Sequence, residues 1–126
     1  MVALLRKVEE QAPDPGRVMA KACFNAAREL NLTQRELAAI IGVSEATVSR
    51  MKDGGFMLQG KPFELAACVL RIFRALDAIV GSDPDSMQGW MRHDNSDLGG
   101  VPTDMMAQAT GLIGVMNYLD AARAPT

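Results

Sequence analysis

The residue types able to do covalent or metal chemistry are few in this chain and poorly spaced for it. One histidine and two cysteines occur in 126 residues. Cys23, Cys68 and His93 stand apart, so neither a zinc ligand set nor a disulfide framework can be assembled, and both thiols are expected as buried fillers. Ser86, His93 and Asp97 lie close in sequence, but a catalytic triad also needs an activated nucleophile and an oxyanion site, and no motif announces them. Gly111-Leu112-Ile113-Gly114 lacks the strand and further glycine of a dinucleotide loop, and Gly99-Gly100 lacks the lysine of a phosphate loop. These residues predict no catalysis and no cofactor. Hydrogen-bond readout is a different matter, and Glu45, Ala46, Thr47, Ser49 and Arg50 are suited to it. An arginine can pair bidentately with a guanine edge, a glutamate can accept from cytosine, and an alanine can meet a thymine methyl. Each such pair discriminates by about 1–3 kcal/mol.

Those side chains need a helix with one face left free, and the flanking residues predict one. Thr33 and Glu36 form a capping box ahead of apolar Leu37, Ala38 and Ile41, which starts a short helix at Gln34. Gly42 follows, where a chain leaving a helix commonly needs positive φ. Ser44 then caps a second helix whose apolar side is Val48 and Met51, and Gly54-Gly55 ends it. Its outer face carries Glu45, Ala46, Thr47, Ser49 and Arg50. A buried helix, a tight glycine turn and a capped helix with a small-residue outer face make the helix-turn-helix geometry, whose second helix enters the major groove. Such shapes also serve as plain packing units, in which Glu45 and Arg50 are merely solvated.

Upstream, residues 1–15 read as an N-terminal arm, with a helical turn or two within 1–12 stopped by Pro13-Asp14-Pro15-Gly16. A first helix follows with Val18, Met19, Ala22, Cys23, Ala26, Ala27 and Leu30 on one face, ending near Asn31. Downstream, Pro62 opens a helix of about 19 residues whose apolar set is Phe63, Ala66, Ala67, Leu70, Phe73, Leu76 and Val80. Gly81-Ser82-Asp83-Pro84 punctuates the chain again and is read as a boundary between residues 16–81 and 82–126. The tail predicts a short helix from Pro84 to Arg92, a turn through Asn95 to Gly100, a helix opening at Pro102 and a last helix from Leu112 to Ala122. Asp83 is the expected cap of the first, and Thr103 or a neighbour that of the helix opening at Pro102. No strand pattern appears, so the fold class is all-α.

Composition supports a folded helical protein: 48% hydrophobic, 22% charged, 5% aromatic, with nine methionines as thin, adaptable core fillers. The longest uncharged run, Met105 to Leu119, falls short of the roughly 20 apolar residues a bilayer span needs. Only five apolar residues precede Arg6 and Lys7, too few for a secretion signal. A cytoplasmic protein is therefore expected. Charge divides along the chain: residues 1–81 carry 11 basic and 9 acidic groups, residues 82–126 carry 2 and 6. The two parts can face different partners, one of them polyanionic. So slight a basic excess gives few phosphate contacts per subunit, and a dimer or larger assembly is expected.

From Gln34 to Met51 the chain resembles the phage-repressor type of helix-turn-helix, the Xre-like family. The family's small residue falls at Ala38, its turn glycine at Gly42, and its inner apolar positions at Leu37, Val43, Val48 and Met51. The resemblance implies a lambda-repressor-like bundle in which Gln34 and Ser44 hold phosphates and Glu45, Ala46, Ser49 and Arg50 face base edges. In the tail, Trp90-Met91-x-x-x-Asn95-x-x-Leu98-Gly99-Gly100-x-Pro102, then Gly111-Leu112 and Val115-x-x-Tyr118-Leu119, is similar to the C-terminal module of the Xre/MbcA/ParS-type antitoxins. Together the likenesses span roughly residues 16–122. They imply an antitoxin that is also a repressor, opposing a RES-type or related ADP-ribosyltransferase toxin that acts on NAD. The tail is the part implied to cover the toxin's cleft. Trp90, Asn95, Leu98, Gly99, Gly100, Pro102, Tyr118 and Leu119 are its candidate contacts, although Trp90 and Tyr118 also fit as core residues of a small domain. The six tail carboxylates suit a basic cleft built for a dinucleotide, or cap helices. The alternative function is a stand-alone Xre-like repressor whose tail only dimerises.

Overall fold

Local capping chemistry sets most of the helix boundaries. The computed structural model describes residues 13–123; the expected arm over 1–12 lies outside the described residues. Among the described residues the helices are α1 (Pro15–Glu29), α2 (Gln34–Ile41), α3 (Glu45–Lys52), α4 (Gly60–Val80), α5 (Pro84–Arg92), α6 (Pro102–Met105) and α7 (Ala109–Arg123). The single β-type pairing among them is an antiparallel bridge between Asn95 and Gly100. Asp14 and Asp83 accept from the backbone N–H of Arg17 and Ser86, so each carboxylate caps the helix that a proline opens. Thr33 and Glu36 form the expected capping box. Gly42 ends α2 at φ 75°, ψ 39°, a left-handed conformation that turns the chain sharply and costs glycine nothing.

Two apolar stripes differ from the expected ones. In α1 the buried face is Gly16, Ala20, Cys23, Phe24, Ala26 and Ala27, whereas Val18 is 52% exposed. Small residues line both sides of this helix, so its periodicity defines the face poorly. In α4 the fully buried residues are Ala66, Val69, Ile72, Ala75 and Leu76, while Phe63, Leu70, Phe73 and Val80 are only partly covered. The apolar residues of that helix cover more than one face because it packs against both α1 and α7, while Lys61, Glu64, Arg71 and Arg74 stay exposed. It also begins at Gly60, ahead of the expected Pro62, and α7 begins at Ala109, ahead of the expected Leu112. The segment before α4 is pinned by Leu58, which is buried and donates its N–H to Gly16 O at 3.2 Å.

One hydrophobic cluster runs from Ala20, Cys23 and Phe24 through Leu37, Ile41, Val48 and Met51 to Ile72 and Leu76. It continues into Met87, Met91, Met106, Leu112, Val115 and Leu119 of the tail. Burying each large side chain contributes about 1.5–3 kcal/mol. α4 is the shared wall: it packs against α1 and α2 of the front half and against α5 and α7 of the tail, while α3 is held by α1 and α2.

Candidate nucleic-acid and protein-binding faces

On α3 the first requirement is an anchored N-terminus. Ser44 Oγ accepts from Thr47 N at 3.1 Å and pairs with Thr47 Oγ1 at 3.0 Å. Thr47 is therefore not on the open face where it was expected: it is 7% exposed, turned inward beside Val48 and Met51. Its role is orientation, since Arg50 Nη2 donates to Thr47 Oγ1 at 3.3 Å while the guanidinium lies 5.3 Å from the Phe56 ring centroid. Glu45, Ala46, Ser49 and Arg50 are exposed. Ser49 Oγ donates to Gln34 Oε1 at 3.1 Å, which ties the outer face of α3 to the first residue of α2. The structure thus brings Gln34, Ser44, Glu45, Ala46, Ser49 and Arg50 together. A cleft of about 350 Å³ adjoins this face, lined by Phe24, Arg28, Gln34, Leu37, Val48 and Lys52 among others; sequence reasoning missed Arg28 and Lys52 because they fall outside the motif.

The tail face is organised by one side chain. Asn95 Oδ1 accepts from the backbone of Asp97 at 3.0 Å and of Leu98 at 3.1 Å. The Asn95 N–H donates to Gly100 O at 2.9 Å, and Asn95 O accepts from Gly99 N at 2.8 Å. The turn from Asn95 to Gly100 is thereby closed on itself, with Gly99 at φ 86°. Tyr118 from α7 reaches over and donates its hydroxyl to Asp97 Oδ2 at 2.8 Å, and that bond holds the phenol above its ordinary pKa. Trp90 stacks against Tyr118, centroids 6.3 Å apart and planes 24° from parallel. Both rings are half-buried. Trp90 also borders a shallow groove with Ser86, Gly89, His93, Asp94 and Asn95.

The remaining tail candidates fall elsewhere. Pro102 and Leu119 are buried, and Leu98 packs partly against the core. Pro102 and Leu119 are thus covered within the chain, whereas Leu98 is half-buried. Thr103 is no cap: its hydroxyl donates to Met91 O at 2.7 Å, and Val101 precedes α6 without a side-chain cap. Ser86 Oγ is engaged by Asp83 at 2.6 Å and Asp97 by Tyr118. Of the cysteines, Cys23 is buried and Cys68 only partly so; burial pushes the Cys23 thiol up to about 12. Among the described residues no three metal-binding side chains converge, and no helix is long and apolar enough to cross a membrane.

A glycine turn between a buried helix and a helix with an open polar face, followed by a helical module built on the same core, defines a helix-turn-helix protein with an appended tail. Residues 9–77 match the family described as the antitoxin Xre-like helix-turn-helix domain, and residues 75–124 match the antitoxin Xre/MbcA/ParS C-terminal toxin-binding domain. The chain belongs to the Xre/MbcA/ParS-type antitoxins. No curated protein matches it.

Proposed function

We propose that this chain is the cytoplasmic antitoxin of a toxin–antitoxin pair, reading operator DNA of its own operon with α3 and covering the active-site cleft of an NAD-consuming toxin, RES-type or a related ADP-ribosyltransferase, with its tail. The observation that carries the reading is the open face of α3 in a chain whose tail matches a toxin-binding family. Glu45, Ala46, Ser49 and Arg50 face outward from a helix whose inner side is locked by Val48 and Met51. Gln34 and Ser44 sit at two helix starts, where backbone N–H groups favour phosphate oxygens. On the tail, the residues offered to the toxin are Asn95, Gly99 and Gly100 of the closed turn, flanked by Trp90 and Tyr118, with Asp94 and Asp97 supplying negative charge. Aromatic rings with polar tips are frequent interface anchors. Two DNA-reading heads on one operator raise affinity beyond the few phosphates one copy can reach, so the working unit is a dimer or a larger assembly with the toxin.

Co-expression tests the toxin reading. A neighbouring-gene toxin that arrests cells should be silenced by this chain, and growth arrest undiminished by it rejects neutralisation. Replacing Arg50 by Ala should weaken operator binding by about 1–3 kcal/mol while leaving toxin binding intact. A second reading, a repressor whose tail only dimerises, draws on Ile79 of α4 and Ile113 of α7, which are 44% and 41% exposed. It predicts a dimer that polar substitutions at these two positions dissociate, with no rescue of toxin-arrested cells.

A further inference from the structure

The last residue of α5 reaches out of the tail and grips the front of the helix-turn-helix. Arg92 Nη1 donates to Glu36 Oε2 at 2.6 Å, and Arg92 Nη2 donates both to Glu36 Oε1 at 2.7 Å and to Asn31 O at 2.6 Å. A two-point fork onto a carboxylate fixes orientation as well as distance. Both acceptors belong to the turn that launches α2. Glu36 is the carboxylate of the capping box and at the same time accepts from Thr33 N at 2.9 Å. Asn31 stands at φ 61°, left-handed for a residue with a side chain, with its carbonyl turned to the guanidinium. Between these two grip points lies Gln34, whose side chain receives the Ser49 hydroxyl of α3.

We infer that Arg92 is a positioning residue for the DNA-reading face: by holding Asn31 and Glu36 it sets the start of α2, hence Gln34, and through Gln34 the Ser49 side of α3. The inference rests on the operator-binding reading proposed above. It assigns a duty in DNA recognition to a tail residue outside the helix-turn-helix motif. Arg92 is followed directly by His93 and the Asn95 turn, so whatever seats on that turn lies next to the grip.

The test is chosen for its sign. In the full chain, titrated against a fluorescent duplex carrying the sequence just upstream of its own reading frame, Glu36→Gln removes a negative charge. Long-range electrostatics alone then predicts tighter DNA binding. Loss of the fork predicts weaker binding, about fivefold, within the range that couplings through packed networks reach. Arg92→Lys keeps the charge but not the fork, and is expected to bind as weakly as Arg92→Ala. Arg92→Ala combined with Gln34→Ala should be no weaker than Gln34→Ala alone, because the two act in one line. Helix content measured by circular dichroism identifies any variant that has unfolded, and the Gln and Lys variants are mild enough to remain folded. Tighter binding by Glu36→Gln, full recovery by Arg92→Lys, or strict additivity with Gln34→Ala overturns the inference while leaving the proposed function standing. Failure of the unmodified chain to bind the duplex overturns both.

Discussion

The junction between α6 and α7 offers a substitution whose sign can be worked from coordinates. A Cβ built on Gly111 would lie 2.0 Å from Met105 O, 2.8 Å from Met105 C and 3.3 Å from Met105 Cα. All three are backbone atoms, so no side-chain rotation relieves the overlap, and one helix must move off the other. Gly114, three residues further along the same helix, meets nothing within 4 Å. Alanine at Gly114 should therefore stabilise by about 0.5–1 kcal/mol through the usual helix-interior gain. At Gly111 a gain of that size at most is set against an overpacking cost of about 1–3 kcal/mol, leaving Gly111→Ala destabilised by roughly 1–2 kcal/mol. For a chain this long that lowers the melting temperature by about 4–8 °C. Urea unfolding followed by circular dichroism measures both variants, and Trp90 emission reports whether the displaced helix has dragged Tyr118 from its stack. Equal or greater stability of Gly111→Ala relative to the parent would refute the reasoning.

Other expectations follow from single contacts. Glu36 is held below the ordinary glutamate range, chiefly by its hydrogen bonds to Arg92. Its contribution is therefore complete above the unfolded-state pKa and is lost as pH falls through the ordinary value towards the depressed folded one; Glu36→Gln should flatten that acid limb of stability, and an unchanged acid limb argues against the pair. Asn95→Ala removes the acceptor of two backbone N–H groups and should weaken toxin binding while sparing operator binding; Asn95→Asp, which keeps an acceptor there, should be milder, and equal losses in the two variants contradict an acceptor role. In the native protein a thiol reagent should modify Cys68 first and reach Cys23 only on unfolding, since Cys23 is buried with its pKa raised to about 12; rapid labelling of both thiols by mass spectrometry would exclude the packing described.

What could be foreseen from the residues alone depended on how local the cause was. Thr33, Glu36, Gly42, Ser44 and Asp83 act on neighbours three or four positions away, and their caps and turn are as expected. Faces were harder. α1 has alanines on both sides and the apolar surface of α4 is too broad to define one face, so only the neighbouring helices decide which side is covered. Thr47 illustrates the limit: a hydroxyl next to Ala46 looks like an outward reader, and only its bonds to Ser44 and Arg50 reveal an inward one. The grip of Arg92 on Glu36 spans 56 positions, and no periodicity announces so distant a pair. In the tail the Asn95 turn was visible as a glycine-rich break, but the burial of Pro102 and Leu119 beneath it depends on how α6 and α7 close over Met91 and Met106.

Under the proposed function, the wall formed by α4 ties operator binding and toxin binding to a single lifetime. Because Ile72 and Leu76 contribute to the same apolar mass as Met91, Leu112 and Leu119, a protease that clips the tail strips cover from the front of the molecule as well. Release of a poison and release of a promoter would then begin together, from one cut, without any separate timer for each.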